Sequence, residues 1–253
     1  MERTSRYIIS LLLILFFSIK QVEAQDTLNI PLKIRVGFEV SGPAQYYSNK
    51  NILSMEGYIS TDLNEKRSFF IGGGYLNYKY SQNDSVINYN YTNKGFFVRA
   101  GYDFNLLKVE KSQGKYWAGI GLHYGLSHFI SDISFQQVNY WGSESASIQN
   151  KTSWGHFVEA TPGVKAEVFK NFSIGWTISL RLLLHTTTSK ELRPLYIPGF
   201  GNGAKTVSAG LSYFIVYNIP YKKIRVITKK DAPEEEEDPN QQGTVNQQNG
   251  LRQ

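Results

Sequence analysis

One feature limits what this chain can fold into more than any other: from about residue 32 to 219 its side chains alternate with a period of two. Strict alternation over stretches longer than a few residues is the mark of a strand with two unlike faces. The clearest stretch is Asn171 to His185. Phe172, Ile174, Trp176, Ile178, Leu180, Leu182 and Leu184 fall on one face, and Ser173, Gly175, Thr177, Ser179, Arg181, Leu183 and His185 on the other. Gly95–Leu106, Lys115–Phe129, Trp154–Val168, Val207–Ile219 and Leu32–Val40 repeat the pattern, and residues 52–62 and 68–80 follow it less cleanly around Gly72-Gly73-Gly74. That makes eight expected strands.

The connections alternate too. Residues 41–50, 81–93, 131–152 and 186–204 read as long polar loops, while 63–67, 107–114 and 169–171 are shorter. Long loops at one end and short turns at the other are the habit of outer-membrane barrels. An even strand number with a long first and last loop leaves both chain ends on the short-turn side. A strand of about 13 residues at ~3.3 Å each, tilted ~40°, rises roughly 33 Å, enough for an apolar band of ~25 Å. Tyr102, Tyr116, Trp154, Trp176, Tyr213 and Tyr217 lie on the apolar faces, several near strand ends, where interfacial aromatic girdles sit. The expected fold is all-β: an eight-stranded antiparallel up-and-down transmembrane β-barrel. A soluble lipocalin-like ligand carrier is the same pattern with the faces inverted. Against it, the polar face is mostly Gly, Ser, Thr and Asn, which suits a crowded interior better than a wet exterior.

The ends carry different signals. Arg3 and Arg6 precede an apolar run from Ile8 to Ile19, and Val22-Glu23-Ala24 gives a small-residue cleavage pattern, so residues 1–24 read as a cleaved signal peptide. With no cysteine, acylation at that site is excluded, and an exported domain without disulfides needs another staple, which barrel closure supplies. The barrel is expected over residues 25–219 and a charged periplasmic tail over 220–253. Lys222, Lys223, Arg225, Lys229 and Lys230 make the tail's first half basic; the second half, with Glu234 to Asp238 followed by Asn, Gln and Gly, reads as disordered.

The sequence resembles the small outer-membrane β-barrel proteins of Gram-negative bacteria. Within them it looks like an uncharacterised barrel group whose final strand runs into a charged tail. The resemblance rests on Tyr116-Trp117-Ala118-Gly119-Ile120-Gly121, on Gly101-Tyr102-Asp103 and on Ser208-Ala209-Gly210-Leu211-Ser212-Tyr213-Phe214. It implies location in the cell outer membrane and an architecture, and it assigns no activity.

By parity, Lys33, Arg35, Glu39, Glu56, Lys79, Arg99, Asp103, Glu159, Lys165, Glu167 and Arg181 point inward. An eight-stranded lumen is just wide enough for its own side chains, so these charges are expected to pair in a network that fills it. A catalytic reading is also open. Ser127, Glu159 and His185 would point inward near the outer mouth on three neighbouring strands, the parts of a lipid-modifying hydrolase or acyltransferase. His123 reads as a lumen hydrogen-bonder, and His128 and His156 fall on the outward parity. Four scattered His and no Cys give no metal spacing, and no phosphate-loop, dinucleotide or HExxH motif calls for a cofactor. Gly199-Phe200-Gly201-Asn202-Gly203 reads as a flexible loop tip, and Tyr140-Trp141 as an aromatic pair in a long loop. A net charge of +6, mild and spread out, excludes a nucleic-acid footprint. The expected partners are outer-membrane lipid, the barrel-assembly machinery during insertion, and a periplasmic or cell-wall partner of the tail. Three roles remain: a structural or interaction barrel, a narrow channel or uptake-associated barrel, and a rim-located lipid-active enzyme.

Overall fold

The computed structural model describes residues 26–84, 86–188 and 193–228. The strands are β1 (Asp26–Glu39), β2 (Ile52–Asp62), β3 (Arg67–Asn83), β4 (Ile87–Asn105), β5 (Tyr116–Asn139), β6 (Gly142–Phe169), β7 (Phe172–Thr186), the two-residue β8 (Tyr196–Ile197) and β9 (Gly201–Asn202), and β10 (Val207–Thr228). Two short helices, α1 (Ser41–Ser48) and α2 (Val109–Ser112), sit in connections. Eight strands close in the order β1-β10-β7-β6-β5-β4-β3-β2. Every register so described is antiparallel between sequence neighbours on the wall, so this is an up-and-down barrel. It lies within one compact unit, Leu28–Val226; Met1–Thr27 and Ile227–Gln253 form a second unit, of which only residues 26–27 and 227–228 are described. The segment expected to be a signal peptide and the acidic half of the expected tail lie outside the described residues.

The alternation read from the sequence sorts the faces as expected. On β7, Ile174 and Leu180 are half exposed (51% and 50%), whereas Ser179 between them is 2% exposed. Apolar side chains point out because the inner space, bounded by a small closed sheet, has room only for groups that interlock. From Ile174 to Leu184 the strand runs about 33 Å, or about 25 Å of height at a ~40° tilt, which is the apolar band of a membrane barrel. Aromatic rings mark one edge of this band in a continuous cross-strand row, Tyr75–Phe96–His128–Trp154. At the other edge, Phe69 pairs with Tyr102 and Trp176 with Tyr213. Among the described residues no helix is long and apolar enough to cross a membrane.

Three segments differ from expectation. Residues 81–83, 87–93 and 131–152 are largely strand: β3 and β4 stay paired as far as Asn83–Asn88, and β5 and β6 meet across Tyr140-Trp141, so a four-stranded extension continues beyond the apolar band. Its alternation is of rings against amides and hydroxyls, with Tyr80 beside Tyr89 on one face and Ser81 bonded to Asn90 on the other, so a search for apolar residues against polar ones misses it. At the chain's other end, β10 runs to Thr228 and carries Lys222, Lys223 and Arg225 as strand residues; Tyr221 hydrogen-bonds back to the Asp62 carbonyl. The third difference is the glycine-rich segment 199–203, which folds into the barrel mouth. Phe200 and Ile197 are fully buried against Phe129 and Phe157, and Gly199 takes φ +73° where an added Cβ would lie 2.4 Å from the Phe97 ring. Asn93 holds this plug by donating to the Tyr196 carbonyl at 2.7 Å, and burial raises the Tyr196 phenol above its ordinary pKa.

Around Phe157 the inward space is filled, so bulk cannot be added there. A Cβ on Gly125 would lie 2.2 Å from the Phe157 ring. Gly125→Leu is expected to lower stability by at least ~1–3 kcal/mol, while Ala146→Leu on the exposed β6 extension should change it by less than ~0.5 kcal/mol; denaturant unfolding followed by tryptophan fluorescence measures both.

Candidate functional site

Cross-strand pairing sets the centre of the lumen. His123, Glu159 and Arg181 stand in one row on β5, β6 and β7, because His123 is opposite Glu159 and Glu159 opposite Arg181. Arg99 reaches this row from β4. Its Nη1 lies 2.8 and 2.6 Å from the two Glu159 oxygens, and its Nη2 pairs with Glu56 of β2. Arg181 donates from Nε to Glu159 Oε1 at 3.0 Å. The Glu159 side chain is wholly buried, so its charge is supported by two guanidinium groups in place of water.

A second layer lies below. His123 Nε2 sits 3.0 Å from Asp103 Oδ1, and Lys165 reaches the other Asp103 oxygen at 3.4 Å. The imidazole stacks on Phe70 at 4.1 Å, and the Lys165 ammonium stands over Trp117 at 4.6 Å and Tyr58 at 5.0 Å. A third layer near the short turns joins Arg35, Asp62 and Ser68, with Lys33 paired to Glu167. The cavity beside Glu56, Arg99, Asp103, His123 and Lys165 has a volume of about 30 Å³, space for a water molecule or two. The arrangement closes the bore with matched charges and rings.

Of the predicted network, Arg35, Glu56, Arg99, Asp103, Glu159, Lys165, Glu167 and Arg181 all stand in ion pairs. Glu39 does not. Its carboxylate accepts the Ser41 and Gly42 N–H groups at 2.9 and 2.8 Å and anchors the start of α1. Lys79 is exposed on the strand extension, beyond the lumen. Asp62 was missed, although it shares a face with Glu56, Tyr58 and Ser60 and the same parity count reaches it.

Ser127, Glu159 and His185 are not brought together. Ser127 is fully buried and its Oγ has no hydrogen-bond partner. Glu159 has both oxygens taken by arginines. His185 is exposed at the end of β7, opposite His156, because a register shift between His156 and Phe157 turns it out of the inward alternation. A nucleophile needs its base within hydrogen-bond reach, and this serine has none. His128 and His156 lie on the outside as their parity indicates, His128 against Trp154 at 4.4 Å and His156 Nδ1 2.7 Å from the Tyr124 hydroxyl. Among the described residues no group of three His, Cys, Asp or Glu could hold a metal.

These features define a class: a closed eight-stranded antiparallel β-barrel with an apolar exterior and a polar, packed lumen. The chain belongs to the family described as a domain of unknown function, DUF6048, whose profile matches residues 4–224. No curated protein matches it. Similar solved structures include the attachment invasion locus protein Ail of Yersinia pestis, at 12% identity over 78% of this chain and 99% of that one, with a TM-score of 0.33. CarO of Acinetobacter baumannii overlaps 76% of this chain and 98% of its own at 10% identity and a TM-score of 0.36. Neisserial surface protein A overlaps 75% and 96% at 12% identity and a TM-score of 0.26.

Glu159→Gln leaves two buried guanidinium groups facing a neutral amide and is expected to cost ~3–5 kcal/mol. Ser127→Ala removes an unpartnered buried hydroxyl and should be neutral or slightly stabilising. Urea titration of both variants in one detergent measures the contrast.

Proposed function

We propose that this protein is an exported barrel of the Gram-negative outer membrane with a structural or interaction role, its lumen plugged and its contacts made at the two ends. The observation that carries the reading is the pairing of opposites in one wall. The outside is an apolar band about 25 Å tall with aromatic edges, and the inside is a stack of ion pairs whose centre has space for a water molecule or two. In water the first would be an exposed apolar surface far larger than soluble proteins carry; in lipid it is the required surface, and closure satisfies the backbone there. The lipocalin-like alternative needs the apolar side chains inside, and they are outside.

The long β5–β6 extension supports the interaction role. It ends in Tyr140 and Trp141, 93% and 91% exposed and in edge-to-face contact at 5.4 Å. Exposed rings held at the end of a paired ribbon are contact groups of low entropic cost. In this reading the lipid bilayer is the main partner of the wall, the assembly machinery inserts the barrel, and the charged segment that follows β10 meets a periplasmic or cell-wall partner. The bore, blocked by the Arg99–Glu159–Arg181 layer, disfavours the channel reading, and the separation of His185 from Ser127 disfavours the enzyme.

Fractionation should recover the protein with the outer membrane, and unboiled samples should migrate differently from boiled ones on SDS gels. Recovery in the soluble periplasm with no shift would overturn the reading. Reconstituted in planar bilayers, the protein should give no large stable conductance steps; regular steps would restore the channel. Leu180→Arg, at mid-height of the band, should cost ~2–4 kcal/mol of unfolding free energy in lipid vesicles.

A further inference from the structure

The wall has one seam at which strand pairing stops early. β1 ends at Glu39, and Val40 donates its N–H to the Tyr213 carbonyl at 2.9 Å, so residues 207–212 of β10 continue past the end of β1. On the other side, β1 pairs with β2 only up to Phe38–Gly57, which leaves Ile52–Met55 past it as well. Helix α1 sits at this seam. A Cβ on its Gly42 would lie 2.4 Å from the Ser54 carbonyl, which shows how closely the helix is seated on β2. Behind α1, between β2, β10 and the 196–202 plug, lies a cavity of about 390 Å³. This is within the size range of small-molecule sites and an order of magnitude larger than the space left in the lumen centre.

Its walls specify a ligand chemistry. Glu39, Gln45, Glu56, Arg181 and Asn202 offer planar hydrogen-bonding groups, with Ser54, Ser208 and Ser212 between them. Phe97 and Tyr196 add ring surface. Each of the three charges is already engaged: Glu39 by two backbone N–H groups, Glu56 by Arg99, and Arg181 by Glu159 and, at 3.5 Å, by the Phe200 carbonyl. A charged ligand would have to compete with these partners. A neutral one can use the remaining lone pairs and N–H groups. Groups that place several hydroxyls around a flat apolar face match planar amides, carboxylates and rings together. The geometry points to this seam cavity as a binding site for a neutral polyhydroxylated group of mono- or disaccharide size.

Such a group has two sources. The exposed rim residues Gln45 and Asn202 open the cavity to solvent, which admits a free saccharide. Ala209 and Leu211 also line it while carrying their side chains on the apolar outer face, which admits the sugar headgroup of a glycolipid from the adjacent leaflet. The second source rests on the membrane reading above; the first does not.

The test uses the full mature protein folded in detergent. Saturation-transfer NMR is run with glucose, N-acetylglucosamine and maltose, with glycine, a zwitterion whose only polar groups are charged, as the counter-probe. In parallel, glycolipid retained from the membrane is measured by mass spectrometry. Gln45→Leu/Asn202→Leu removes two exposed amides, and Ser212→Phe fills the cavity. Saturation of sugar protons that weakens about tenfold in affinity in the double variant and disappears in Ser212→Phe supports a free saccharide. No response to free sugars, with glycolipid bound stoichiometrically to the wild type and lost from Ser212→Phe, supports the lipid-borne source. Neither signal, a signal that both variants leave unchanged, or a response to glycine alone overturns the proposal. The heat-dependent gel shift is recorded on every sample: its loss in the wild type would break the membrane reading instead, and its loss in one variant shifts the comparison to the other.

Discussion

Closure of the sheet is the constraint from which the remaining features follow. A strand wall eight members long that joins β1 to β10 satisfies the backbone of its band internally, so the outer surface can be apolar and still carry no bare polar groups. The same closure sets a narrow bore. Side chains sent inward therefore meet one another and not water, and ionised groups among them survive only in pairs. Glu159 is the clearest case, buried completely and held between Arg99 and Arg181. The ion pairs are a result of the closure, and in turn they fix which small residues can face them: at Gly121 an added Cβ would lie 2.5 Å from Asp103 and 2.7 Å from His123.

Much of this was legible because the period of a strand is two and cannot drift. Once Ile174 to Leu184 is assigned outward, Ser173 to Leu183 must face in, and the charged partners on other strands follow by the same count. What escaped was whatever does not alternate in hydropathy or does not keep the period. The β3–β6 extensions alternate tyrosine and isoleucine with asparagine and serine, and hydropathy blurs that. A register shift next to His156 displaces His185 to the outside, and nothing local in the sequence marks it. The 199–203 segment reads as a flexible loop tip because it is rich in glycine; in the fold those glycines let the backbone press against Phe97 and drop Phe200 into the mouth. Asp62 stood within reach of the parity count.

The two ends of the barrel are chemically different, and this difference frames its role. One end carries the short connections β2–β3, β4–β5 and β6–β7. The other carries a helix that bridges the wall's seam, a buried plug and a ribbon tipped with exposed rings. The proposed interaction role places contacts at such an end, where the rigid wall supports groups that the bilayer leaves free. In that proposal the tightly paired interior keeps the wall stiff.

The orientation of the wall is the claim on which everything else depends, and the absence of native cysteine makes it directly measurable. Single cysteines at Ile178 and Ser179, each carrying an environment-sensitive fluorophore in protein reconstituted in lipid vesicles, would be exposed to a quencher dissolved in the acyl chains. The account predicts strong quenching at 178 and little at 179, where attachment is also slow because the site is buried. No quenching from the acyl chains at either site, with position 178 reached freely by a water-soluble quencher, would contradict it and return the barrel to water.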